Sequence, residues 1–129
     1  MVRKKVIGLI EPVKIIGKKA VKTTALFDTG ARLTSIDHRI AAEAQVGPIL
    51  RTQKVKAPIT KEIEQRPVVR VRIEIGGKEY EAEANLNDRS HMKYPVIIGR
   101  NIIHGNFIID ISKHPENGNI ANRKAKGKE

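Results

Sequence analysis

From Val69 to Ile75 apolar and charged residues alternate without a slip. Val69, Val71, Ile73 and Ile75 fall on one side, and Arg70, Arg72 and Glu74 on the other. A period of two sends successive side chains to opposite faces, so this stretch reads as a half-buried strand and not as a helix. After Gly76-Gly77 the pattern resumes, with Tyr80, Ala82, Ala84 and Leu86 alternating with Glu79, Glu81 and Glu83. A two-residue Gly-Gly turn sets the pairing of the two runs. Ile73 then lies opposite Tyr80 on the apolar face, while Arg72 meets Glu81 and Arg70 meets Glu83 on the polar face. Both faces agree on one register, so the hairpin must bury one side of a sheet. The chain is expected to be mainly β.

The rest of the chain supplies further strands. Val6 to Ile10 is a short apolar run, and Val2 to Lys5 before it is basic and expected to pair as an edge strand or fray. Val13–Ile16 and Ala20–Phe27 flank Gly17-Lys18-Lys19, which reads as a hairpin loop. Ser35 and Asp37 offer capping side chains to a short helix over His38–Gln45, closed by Gly47-Pro48. Residues 50–66 are polar and poorly periodic, and read as a mobile loop or a long hairpin arm. Residues 87–94 form a polar loop, and Val96–Ile98 a buried strand. Gly99 breaks that strand, 101–105 makes a brief helical turn, and Phe107–Ile111 is a last strand. From Lys113 onward apolar periodicity is lost and five Lys/Arg face two Glu, so one domain over 1–112 is expected to be followed by a basic disordered tail over 113–129.

Composition narrows the partners. At 129 residues the chain fits one domain. Without cysteine it has no disulfides or thiolate metal sites, and a reducing compartment is the natural expectation. Membrane association is not expected, since apolar runs are too short to span a bilayer; the basic N-terminus lacks a signal-peptide core, and a cytoplasmic location is expected. A net charge of +11 raises nucleic acid as a partner. Two Phe, two Tyr and no Trp leave few platforms for stacking bases, so a solvated basic surface outranks that reading. Acidic substrates or partners are the third option.

The chemistry concentrates at Asp28-Thr29-Gly30-Ala31, where an apolar run delivers one carboxylate, a hydroxyl and a glycine able to reverse the chain without a Cβ penalty. By itself this is a short motif that a turn-capping aspartate would also satisfy. Pro95-Val96-Ile97-Ile98-Gly99-Arg100-Asn101-Ile102-Ile103 follows it. In order and spacing the pair resembles the retropepsin-like aspartic peptidases, over about Val13 to Ile111. Leu86-Asn87-Asp88-Arg89-Ser90-His91-Met92-Lys93-Tyr94-Pro95, with Arg66–Val71, resembles one branch, once labelled putative ATP-dependent zinc protease and associated with RimK-type ATP-grasp glutamate ligases.

The resemblance implies a retropepsin-like closed barrel with one or two short helices, working as a two-fold homodimer on peptide or amide bonds. Asp28 would be the catalytic aspartate, Thr29 a brace across the dimer axis, and Gly30 a source of backbone groups for substrate. Ala31 and Arg32 would flank the substrate, and Gly99 and Arg100 would support the active loop. Arg89 and Ser90 would belong to a branch-specific segment of undefined role. Two departures stand out. Arg32 occupies a place where the family generally carries an acid, so Arg100 needs another partner and the substrate site is more basic, unless Arg32 pairs with Asp37 or Glu43. Residues 50–66 contain no glycine, so a lid there closes differently from a Gly-rich viral flap.

Two close carboxylates share one proton because both cannot ionise cheaply, a dyad for which aspartic proteases are the standard example. With a single Asp-Thr-Gly, one chain supplies half a dyad and a two-fold axis the other half. No metal is expected, since His38, His91, His104 and His114 do not fall at metal-ligand spacing, and no nucleotide-binding Gly-x-x-x-x-Gly-Lys occurs. No cofactor is expected, and ATP dependence would require the ligase partner. The other reading is a catalytically silent dimeric module accessory to a glutamate ligase or to nucleic acid. The leading reading, with the basic composition and Arg32, points toward an acidic peptide substrate.

Overall fold

A computed structural model describes residues 3–56 and 60–113. The tail expected to be disordered therefore lies outside the described residues from position 114 on, as do residues 1–2 and 57–59 within the 50–66 stretch. The chain runs β1 (Lys5–Ile7), β2 (Ile10–Ile16), β3 (Ala20–Phe27), β4 (Thr34–Asp37), α1 (His38–Ala44) and β5 (Ile49–Lys56). It continues with β6 (Ile63–Ile75), β7 (Lys78–Asn87), β8 (Val96–Ile98), α2 (Arg100–Ile103) and β9 (Phe107–Ile109).

Six strands close on themselves in the order β2-β3-β8-β4-β7-β6, because β6 pairs back onto β2, and β5 extends the sheet beyond β6. Closure leaves no open edge in the ring itself. The expected hairpin forms the ring's longest wall in the expected register, with Ile73 opposite Tyr80, Arg72 opposite Glu81 and Arg70 opposite Glu83. The ion pairs run one step diagonally, from Arg72 to Glu79 at 3.2 Å and from Arg70 to Glu81 at 3.5 Å. Glu83 is taken by Arg51 of β5 at 2.5 Å. Such exposed pairs contribute at most about 1 kcal/mol each. Burying Val71, Ile73 and Ile75 gives roughly 1.5–3 kcal/mol apiece, so the apolar face governs this hairpin. Inside the ring these side chains meet Phe27, Ile15, Ile36 and Ile98, with Phe107 stacked edge-on to Phe27 at 5.7 Å.

Three local expectations are corrected. Strand β1 begins at Lys5 and pairs in parallel with β9 in a two-stranded ribbon apart from the barrel, and β9 ends at Ile109 and not at Ile111. The Val6–Ile10 run is split, with Gly8 N–H donating to Glu11 Oε2 at 2.6 Å. Ser35 and Asp37, expected as capping residues, belong to the buried strand β4 (Thr34–Asp37), wedged between β7 and β8. Asp37 still caps α1, accepting from Arg39 N at 3.1 Å, while Ser35 stays in the strand. Of residues 50–66, the described ones take the hairpin-arm form, with β5 paired to the first half of β6.

Candidate active site

Strand β3 runs out at Phe27, whose N–H donates to Leu9 O at 2.8 Å, and Asp28 begins the loop at its end. Asp28 N–H donates to Ile98 O at 2.9 Å, so the loop is tied to β8 at its first residue. Gly30 N–H donates to Asp28 Oδ1 at 2.8 Å, and Ala31 N–H to Asp28 O at 3.2 Å. One carboxylate oxygen is thus oriented by its own loop, and Oδ2 accepts no hydrogen bond from the described residues. Thr29 and Gly30 are exposed beside it. Gly30 lies in the turn, outside the left-handed region. A Cβ there would lie 3.1 Å from Asp28 Oδ1, so glycine serves to leave the carboxylate room.

The loop is clamped from behind by the Gly99-Arg100-Asn101 turn. Arg100 N–H donates to Ala31 O at 2.8 Å and Asn101 N–H to Arg32 O at 3.2 Å. Asn101 Oδ1 accepts from Thr34 N–H at 3.1 Å and from the Thr34 hydroxyl at 3.0 Å, and its Nδ2 donates to Glu83 O at 2.8 Å. The same hydroxyl accepts from Gly99 N–H at 3.1 Å. Gly99 must lack a side chain, because a Cβ would stand 2.6 Å from Leu33 backbone atoms and 2.9 Å from Ala31 O. The expected support by Gly99 and Arg100 therefore operates through their backbones. The guanidinium of Arg100 is exposed and forms no ion pair among the described residues. Thr34 and Asn101 were not among the residues expected to serve the site. Asn101 lay inside the Gly-Arg-Asn stretch, but its contact is 67 positions away and nothing local signals it.

A second brace involves the 88–95 segment. Asp37 Oδ1 accepts from Arg89 N–H at 2.8 Å, and Asp37 Oδ2 accepts from Arg39 Nε at 3.0 Å. Burial opposes ionisation of Asp37; the hydrogen bonds from the Arg39 side chain and from the Arg89 and Arg39 N–H groups outweigh it and hold its carboxyl below the usual range. Asp37 is thereby committed to Arg39 and is not a partner of Arg32. Ser90 N–H donates to Asp88 Oδ1 at 2.9 Å, a local turn with Ser90 exposed. Arg89, by contrast, is 8% exposed, with Nε donating to Tyr94 O at 3.0 Å. Burial lowers the pKa of its guanidinium, Arg66 adds to this by repulsion, and the charges of Asp37 and Asp28 pull the other way. Arg89 thus lies within electrostatic reach of Asp28. Arg32, Leu33 and Ala31 line one wall of a cavity that Arg89 also lines. The described residues hold no cluster of three His, Asp or Glu suited to a metal.

The closed six-strand barrel with its two short helices is similar to the retropepsin protease fold. The chain superposes on the solution structure of simian foamy virus protease with a TM-score of 0.55, at 18% identity over 73% of this chain and 90% of that one. A Legionella pneumophila protein of unknown function superposes with a TM-score of 0.57, at 21% identity over 84% of this chain and 94% of that one. At such identities the likeness is one of fold. No curated protein matches the chain. The chain belongs to the RimB-like family, whose model, described as retropepsin-like aspartic endopeptidase RimB, matches residues 40–118. That span includes Arg89, Gly99, Arg100 and Asn101, and Asp28 precedes it.

Proposed function

We propose that the protein is one half of a homodimeric retropepsin-like aspartic endopeptidase, with the Asp28 carboxylates of two copies facing each other across a two-fold axis. The observation that carries this reading is the presentation of Asp28: its loop is held by backbone hydrogen bonds to β8 and to the Gly99–Asn101 turn, yet Oδ2 accepts none from the described residues. A lone carboxylate cannot serve as both general acid and general base in one step. Two of them sharing a proton can. The ionised member takes a proton from water as it attacks the scissile carbonyl carbon, and the protonated member hydrogen-bonds the carbonyl oxygen. As the tetrahedral species collapses, the C–N bond breaks and the amine leaves with a proton from the dyad. The proton belongs to the pair and not to either Asp28.

Family membership supports a peptide bond as the target. The net charge of +11 and Arg32 beside the loop support an acidic peptide, drawn by the surface field and docked by a charge-assisted hydrogen bond. On the same reading the protein works in the cytoplasm beside an ATP-grasp glutamate ligase. Asp28→Asn tests the chemistry: hydrolysis is lost with the fold intact, and unchanged turnover overturns the dyad. Sedimentation at micromolar concentration tests the assembly, where a strictly monomeric particle, with and without substrate peptide, refutes the symmetric site. A protein that binds peptides but never cleaves them is the silent accessory module instead.

A further inference from the structure

Lys14 of β2 and Lys22 of β3 are register partners on the outward face of the barrel, so two ammonium-bearing side chains leave the sheet at facing positions. Like charges placed so destabilise a sheet. Glu74, the register partner of Lys14 on β6, relieves one of them at 3.5 Å. Lys22 is exposed and forms no ion pair among the described residues. The loop that joins the two strands adds Lys18 and Lys19, both exposed. The acids on this wall are Glu11 and Glu74, and both are engaged, Glu11 Oε2 by Gly8 N–H at 2.6 Å.

Two hollows follow the same wall and adjoin at Pro12, which lines both. One, of about 340 Å³, is bordered by Lys14, Lys22 and the Gly76-Gly77 turn. The other, of about 530 Å³, is bordered by Thr24, Lys93, Tyr94 and Pro95. Together they make a trough from the β6–β7 turn to the loop before β8. At that far end Lys93 Nζ lies over the Tyr94 ring, 5.6 Å from its centroid. Tyr94 is half-buried and its carbonyl accepts from Arg89 Nε, so the ring is held in place. The other three aromatic residues, Phe27, Tyr80 and Phe107, belong to the core. Tyr94 alone is left outside it, among lysines.

We propose that this trough binds single-stranded nucleic acid, with Lys22 and Lys93 on phosphates and Tyr94 as the stacking platform for one base. A basic track that ends on an aromatic face holds an unpaired strand without reading its sequence. Phosphates along the track also relieve the facing pair of lysines, which the protein alone leaves half compensated. Aromatic residues are too few for an array of stacked bases, and a single platform is what the fold provides. An acidic peptide would satisfy the lysines and leave the Tyr94 face unused. A duplex keeps its bases stacked inside and cannot use that face either. The trough lies outside the wall whose inner side carries Val13, Ile15 and Ala25, so strand binding stands apart from the peptidase reading of Asp28.

The test is fluorescence anisotropy of labelled oligo-U and oligo-dT, titrated with the full-length protein across a salt series, with circular dichroism monitoring the fold of each variant. On a single strand each phosphate contact contributes about 0.7 to the salt slope, hence roughly fivefold in affinity between 1 M and 0.1 M salt. Lys22→Gln and Lys93→Gln should each weaken binding by about that factor at 0.1 M, and together lower the slope by about 1.4. Tyr94→Leu should cost at least about fivefold with the slope unchanged, and Tyr94→Phe should keep the affinity. Lys54→Gln, on the arm, is the control and should stay within about twofold of wild type. Oligo-U and oligo-dT bound alike assign recognition to phosphates and base faces, and tighter oligo-U assigns a share to the 2′-hydroxyl; both support the trough. Absence of binding overturns the proposal, as does unchanged affinity in the Lys22→Gln, Lys93→Gln double variant, which would put the strand elsewhere on a basic chain. A loss in Lys54→Gln as large as in Lys22→Gln, or a duplex bound as tightly as the single strand, also overturns it. So does poly-glutamate that binds wild type as tightly as oligo-U does, when Tyr94→Leu weakens neither.

Discussion

The clamp behind the Asp28 loop meets at one hydroxyl, and Thr34→Val removes it while keeping the side chain's shape. Thr34 is fully buried, and valine has nearly its shape, so the exchange acts mainly through the lost hydroxyl. Two hydrogen bonds disappear: the hydroxyl's donation to Asn101 Oδ1 at 3.0 Å and its acceptance from Gly99 N–H at 3.1 Å. Asn101 Oδ1 keeps Thr34 N–H, so the acceptor remains satisfied. Gly99 N–H does not, and an orphaned buried donor costs about 1–3 kcal/mol. Taking about 2.1 cal/mol/K of unfolding entropy per residue over 129 residues, that is a fall in Tm of roughly 4–11 °C. Urea unfolding at a fixed protein concentration should show a lower midpoint at unchanged slope. Turnover should fall further than stability explains, because Gly99 follows Ile98, whose carbonyl holds Asp28 N–H. A double-mutant cycle with Asn101→Ala should give a coupling of about 0.5–3 kcal/mol. A midpoint within error of the wild type, with additive single mutants, would show that the clamp does not depend on this hydroxyl.

Gly99→Ala should be more damaging, near 3 kcal/mol or above, because every atom its Cβ would strike is backbone; thermal unfolding of the purified variant checks this. Asp37 supplies a pH dependence. Its folded carboxyl lies below the ordinary 3.8, so its contribution to stability is present above that value and is lost as pH falls through the folded pKa. Urea midpoints measured from pH 6 down to pH 2 should drop in that window, with a shallower drop for Asp37→Asn. Arg70→Ala should change stability by less than about 0.5 kcal/mol, since its pair with Glu81 is exposed on both sides, and a larger loss by urea titration would contradict the dominance of the apolar face.

The parts of the fold that were legible in the sequence are those whose signal is local. The β6–β7 hairpin announces itself because each strand has one buried and one solvated face, and its two-glycine turn leaves a single register. Strand β4 is silent for the opposite reason: Thr34, Ser35, Ile36 and Asp37 are all buried, so no alternation exists to read. Thr34 and Asp37 are held by Asn101, Gly99 and Arg89 from distant positions and by Arg39 two residues on, whereas the Ser35 hydroxyl has no partner among the described residues. Strand β5 is mostly exposed and lacks an apolar period, so only its pairing with β6 defines it. The same divide runs through the candidate site. Asp28 and the Gly99-Arg100 turn follow from short motifs, whereas the cavity lined by Arg32 and Arg89 joins residues from five strands and two loops, a grouping that exists only after the barrel has closed.

The pairings that close the structure have a consequence for how fast it forms. The β2–β3 and β6–β7 hairpins join residues close in sequence. The seam between β2 and β6 joins Val13 to Ile75, and the β1–β9 ribbon joins Lys5 to Phe107. Loop entropy must be spent before either distant pairing returns any stabilisation, which places folding in the slow, millisecond-to-second regime of high contact order. The ribbon, with the widest separation, is the natural last event. Weakening it with Val6→Ala should then hasten unfolding and leave the refolding rate nearly unchanged, so the lifetime of the folded chain is set where its two ends of the sheet are stitched together.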